Sequence, residues 1–138
     1  MRGLLQYKGK LYGFPVSSYY FGMEYSAAIY RRAGVKAPTT MAQLLNVCKQ
    51  VKAKTGTTAI SLGAADQAQA ATAMWSIIAQ QVYTKKSNWS DLRAKKKVKF
   101  ETSKEWKNVF ATVSKMKSAG CFSEGVTGET LQSSSMTS

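Results

Sequence analysis

"YKGKLYGFPVSSYYFGMEYSAAIYRRAGV", residues 7–35, is the stretch on which the fold reading turns. Residues 9–16 alternate loosely and end beside Pro15, which suits an edge or terminal strand, and residues 21–26 read as a second short strand. Between them stands the polar and aromatic gap Ser17, Ser18, Tyr19, Tyr20. From Ala27 to Ala33 the pattern turns helical. Arg31 and Arg32 fall in its last turn, where cations complement the helix dipole, and Gly34 supplies the stop.

Reading outward, Thr40 with Gln43 three residues later is a capping box, and Gly56 closes the helix it opens. Leu44, Leu45, Val47, Cys48 and Val51 form one apolar stripe on that helix. "TTAISLG", residues 57–63, reads as a short strand. Asp66 is an N-cap for a helix from about Gln67 to Tyr83, with Met74, Ile77, Ile78 and Val82 on its buried side and Trp75 expected in the core. A short helix around Trp89 and Leu92 follows, then an extended "VKF". Thr102 and Glu105 form a second capping box, opening a helix that carries Trp106, Val109, Phe110, Val113 and Met116. Gly120 ends it, and Phe122 is placed to pack back on its last turn. This order predicts an α/β layer with more helix than sheet.

The chain has 138 residues, 44% of them hydrophobic, enough for one domain with a core. Its longest apolar window, "ATAMWSIIA", is far shorter than a membrane span needs, and "MRGLLQYKGK" does not read as a secretory signal. Cys48 and Cys121 make neither a disulfide framework nor a metal site; two packed free thiols are the expectation and one disulfide the alternative. A net charge of +13 points to nucleic acid, an anionic surface or the acidic remainder of a larger protein. Residues 84–107 carry nine Lys or Arg against three acids, for which a solvated face is the plain reading.

Catalytic chemistry is largely struck out. The chain has no histidine, so neither a Ser–His pair nor an imidazole ligand exists. "GVTGET" lacks the lysine of a P-loop, no GxGxxG follows a strand, and the seven acids are scattered singly apart from Glu101 and Glu105, which look like cap residues. Neither an enzyme nor a cofactor is expected.

The order Gly9-Lys10-Leu11-Tyr12-Gly13-Phe14-Pro15, Glu24-Tyr25-Ser26, Arg32-Ala33-Gly34 and Pro38-Thr39-Thr40, over some 60 residues, resembles the bacterial extracellular solute-binding proteins of family 1, which serve carbohydrate ABC importers. Trp89, Leu92, "KVKF" and the helix with Trp106 ending "SAGCF" are similar to that family's second lobe. Ser26 and Ala27 stand where the family has Asn-Lys, Met41 where it has Trp, and "RAKKK" lacks its usual glycine. The resemblance implies a helix-rich partial lobe of a type II periplasmic-binding-protein-like fold with few strands. It implies a crossing strand and hinge at 1–20 and a second-lobe segment at 21–122, and the small, polar, unperiodic run 123–138 is expected to be a poorly ordered, flexible tail. A sequence truncated at both ends relative to the family is the corresponding expectation.

The implied function is capture of a carbohydrate outside the membrane, as an extracytoplasmic protein or lipoprotein whose signal lies outside this chain, and delivery to ABC permease subunits. Ser17, Ser18, Tyr19 and Tyr20 would face the cleft and supply hydroxyls and a stacking ring, while Asp66 and Gln67, at a strand end and helix start, would form a second wall. A single lobe implies weak or no sugar affinity for the chain alone, and an exposed half-interface could drive self-association. The rival reading is a small basic module for nucleic acid or an anionic polymer, with Lys85, Lys86, Arg93, Lys95, Lys96, Lys97 and Lys99 as its footprint. The resemblance covers more of the chain than the basic run does, so nucleic acid is not favoured.

Overall fold

A computed structural model describes residues 6–14 and 25–130. The first element is a hairpin, β1 (Gln6–Tyr7) against β2 (Lys10–Leu11), antiparallel with Gln6 opposite Leu11 and Tyr7 opposite Lys10. Its two turn residues, Lys8 and Gly9, have φ of 49° and 76°, the doubly left-handed geometry that matches the twist of short strands. Five α-helices follow: α1 (Ala27–Ala33), α2 (Met41–Thr55), α3 (Gln67–Ile78), α4 (Trp89–Ala94) and α5 (Lys104–Ser118). Between α3 and α4 the helix widens into a π-helical turn, Ala79–Tyr83.

The helix-rich expectation holds, but the strands shrink. Among the described residues the hairpin is the only sheet. The 9–16 run keeps two strand residues of those described, Pro15 and Val16 lie outside them, and so do residues 21–24 of the second expected strand. Ser26 has extended backbone but belongs to no strand; it is the N-cap of α1, its hydroxyl accepting from the Ile29 N–H at 3.4 Å. Residues 57–63 form no strand either. Ile60 N–H donates to the Cys121 carbonyl at 3.0 Å, and among the described residues no second rung joins these two segments into a ladder. "VKF" forms no strand: Val98 and Lys99 belong to no regular element and Phe100 begins a turn.

The helices start and stop largely where local chemistry dictates. Thr40 Oγ1 accepts from the Gln43 N–H at 3.2 Å, while the Gln43 amide oxygen reaches back one residue further than the box anticipates, accepting from Thr39 through both N–H and hydroxyl. Gly34 and Gly56 close α1 and α2 in the left-handed region. At α5 the N-cap is Ser103 and not Thr102, and its hydroxyl caps no backbone group. It accepts from the Trp89 indole N–H at 3.2 Å and donates to Glu105 at 2.8 Å.

Among the described residues there are three apolar clusters. Tyr30, Ala33, Val47 and Val51 join α1 to α2. Leu44, Cys48, Met116, Ala119 and Cys121 join α2 to the end of α5, with Phe122 packed against them as expected. Ile78, Val82, Trp89 and Val109 join α3, the π-turn, α4 and α5. Ala59 packs against the first two clusters and Ile77 against the last two, so the three are continuous.

The expectation of two free thiols is overturned: Cys48 and Cys121 form a disulfide across 73 residues. Cys48 lies on the buried stripe of α2. After α5, the left-handed Gly120 (φ 71°) turns the chain so that Cys121 N–H bonds the Met116 carbonyl and its side chain enters the same cluster. Trp75 also departs from its expected place, being 45% exposed with its ring 5.7 Å from that of Tyr83. It stands on the shoulder of the stripe set by Met74, Ile77, Ile78 and Val82.

Candidate functional site

The first expected wall, Ser17, Ser18, Tyr19 and Tyr20, lies outside the described residues. The chain on either side of it carries exposed rings: Phe14 is 82% exposed before it, and Tyr25 54% after it. Tyr25 is held by its neighbour, with its ring centroid 4.5 Å from that of Tyr30. Burial, and then the adjacent Tyr25 phenol, push the Tyr30 hydroxyl above the usual tyrosine range, so Tyr30 is neutral packing.

The residues of the second expected wall, Asp66 and Gln67, are among those described. Residues 63–66 run beside the 126–129 turn: Ala64 N–H donates to the Val126 carbonyl and Ala65 N–H to the Glu129 carbonyl, each at 3.0 Å. Ser123 hydroxyl donates to the Glu129 carboxylate at 2.7 Å, closing that turn on itself. Thus residues 123–130, the opening of the polar tail, fix the entry to α3. Asp66 is exposed and caps the helix, Oδ1 accepting from the Ala68 N–H at 2.8 Å. Gln67 follows, exposed in the first helical position. A helix start also leaves first-turn N–H groups without an intrahelical acceptor. The arrangement therefore presents a carboxylate, an amide and backbone donors together, a set suited to neutral polar groups such as hydroxyls.

The residues of the rival basic footprint are described throughout. Lys85 and Lys86 follow the π-turn, and Arg93, Lys95, Lys96, Lys97 and Lys99 lie on α4 and in the turn after it. Their electrostatic effect is visible at Glu105. Its carboxyl is held below the usual range first by its own backbone N–H, then by the Ser103 hydroxyl, then by Lys86 and Lys85. The Arg93 guanidinium lies over the Phe100 ring, 5.6 Å from its centroid.

Two features escape a reading of the sequence. Trp75 and Tyr83 form a half-exposed aromatic pair, but nine residues along an ideal helix place Trp75 about half a turn around from Asp66, so it does not join that wall. A cavity of about 410 Å³ lies at the start of α2, lined in part by Lys36, Pro38, Gln43, Asn46 and Gln50. It contains none of the ligand-binding residues expected from the sequence, although Gly34, Pro38, Thr39 and Gln43, read there as helix-end and motif residues, line it.

Among known proteins, the family described as bacterial extracellular solute-binding protein matches residues 2–137. No curated protein and no solved structure matches the chain.

Proposed function

Because the chain belongs to the bacterial extracellular solute-binding proteins, non-enzymatic binding proteins of ABC transport systems, we propose that its solute is a carbohydrate and that Asp66 and Gln67 form one wall of the site. The observation that carries this reading is the exposed start of α3, fixed by the 126–129 turn, where a carboxylate, a carboxamide and first-turn N–H groups stand together. A sugar carries many hydroxyls that need paired partners when they leave water, and such a cluster supplies both donors and acceptors. Ser17, Ser18, Tyr19 and Tyr20 are assigned the facing wall, with Tyr19 as the ring that covers an apolar sugar face. Binding stabilises one arrangement of the binding protein, which the permease then recognises without any chemical step.

The test is thermal unfolding of the chain with mono- and oligosaccharides at high millimolar concentration, since a ligand bound to the folded state raises Tm by mass action. Asp66→Asn preserves a good N-cap while removing the charge, so its basal Tm stays close to that of the parent. The expected result is a sugar-dependent rise that D66N and Tyr19→Ala both diminish. A rise indifferent to both substitutions would contradict the assignment.

A further inference from the structure

We infer that the face built from the end of α4, the 95–103 turn and the outer side of α5 is a docking surface for an anionic phospholipid bilayer. Arg93, Lys95, Lys96, Lys97 and Lys99 are all exposed there, and Lys104 and Lys107 extend the same charge along the first turns of α5. Only Asp91, Glu101 and Glu105 oppose them within 84–107. Charge alone would serve any polyanion, and the aromatic side chains narrow the choice.

Phe100, Trp106 and Phe110 form a ridge through this basic surface, with centroids 4.8 Å apart for the first pair and 6.4 Å for the second. Phe100 is 44% and Phe110 57% exposed, an apolar area amid lysines that an aqueous polyanion leaves wet. A single-strand binder needs open ring faces on which bases stack. Phe100 does not offer them, because Arg93 lies over its ring and the Trp89 ring stands 4.7 Å away. An exposed aromatic rim surrounded by cations suits the headgroup boundary, where apolar rings enter the interface and lysines meet lipid phosphates.

A second observation lies in the backbone. Lys96 adopts φ of 56°, a left-handed conformation that costs a non-glycine residue roughly 1 kcal/mol. Glycine would relieve that strain, yet a lysine stands there and adds its charge to the face. The surface contains neither Asp66 nor Gln67, so it is separate from solute capture, and an extracellular binding protein works beside a membrane.

The experiment is co-sedimentation of the chain with vesicles of equimolar phosphatidylglycerol and phosphatidylcholine, against vesicles of phosphatidylcholine alone, at low and high salt. Partitioning onto the anionic vesicles alone, weakened by salt, is the expected result. Each lysine removed should reduce it about fivefold, so K95Q/K97Q should reduce it about 25-fold. Phe110→Ser should lower the part that survives high salt. Lys96→Gly is the sharpest variant, because it should reduce partitioning about fivefold while leaving Tm unchanged or higher and leaving any sugar response intact. Equal partitioning onto both vesicle types, no partitioning, indifference to K95Q/K97Q, or removal by a single-stranded oligonucleotide at matched phosphate concentration would overturn the inference.

Discussion

The α1–α2 end and the α4–α5 end of the molecule hold together by different means. At the first, aliphatic side chains and the Tyr30 ring pack beneath side-chain and glycine caps, and a disulfide ties α2 to Cys121, three residues past α5. At the second, the core is Trp89 with Ile78, Val82 and Val109, and the rings of Phe100 and Trp106 lie 4.7 and 5.4 Å from Trp89. The second end also retains features that an optimised core would lack. Gln81 Oε1 and Trp106 Nε1 are buried with no hydrogen-bond partner among the described residues, the helix widens at Ala79–Tyr83, and Lys96 is left-handed. The first end is built for permanence, while the second combines a rigid centre with a strained, charged outer surface.

The most severe way to break this comparison is Trp89→Ala. Trp89 is 2% exposed and is anchored through its indole N–H, so its loss should cost about 3–5 kcal/mol in denaturant unfolding. A cost well below that range would show that the second end lacks a rigid centre. Opening the disulfide with Cys48→Ala and Cys121→Ala, or by reduction, should cost about 2–4 kcal/mol because the bridge closes a long loop in the unfolded chain. Equal stability with and without reductant would remove the bridge from the account.

Ser103→Ala sharpens the contrast between the two ends. It leaves the buried Trp89 indole N–H without its acceptor and should cost roughly 1–3 kcal/mol, whereas Thr40→Ala, which removes an exposed cap, should cost about 1 kcal/mol. If Thr40→Ala proved the more damaging, Ser103 would be an ordinary cap. The smallest effect belongs to Glu105. Its folded-state pKa is depressed, so its stabilisation is fully present above the unfolded glutamate value of about 4.3 and is lost as pH falls through the lower folded value. Glu105→Gln should therefore lower Tm slightly near neutrality, where the carboxylate's stabilisation is lost, and leave Tm at the acid end little changed, so that the acid decline flattens; an unaltered acid decline would mean that other carboxylates set it.

The same contrast explains what could be read from the sequence. Thr40, Gln43, Gly34, Gly56 and Asp66 act within a few residues of themselves, and their roles are visible in spacing alone. Long-range choices are not. Whether 57–63 becomes a strand depends on a ladder partner, and here Cys121 offers Ile60 a single backbone bond. The disulfide depends on two helices meeting, which neither Cys48 nor Cys121 encodes locally. Ser103 displaced Thr102 as the cap of α5 because Trp89, fourteen residues earlier, bonds its hydroxyl. At the candidate site, Asp66 and Gln67 were legible because a helix start announces itself, whereas the exposure of Trp75 was hidden by its position beside an apolar stripe.

The most direct test of solute capture is an amide-resolved NMR titration of the chain with mono- and oligosaccharides. The account predicts saturable shifts at Ser17, Ser18, Tyr19 and Tyr20 together with Asp66 and Gln67, for at least one sugar. Saturable shifts that spare all six of these residues, for example shifts confined to the cavity at the start of α2, would contradict it.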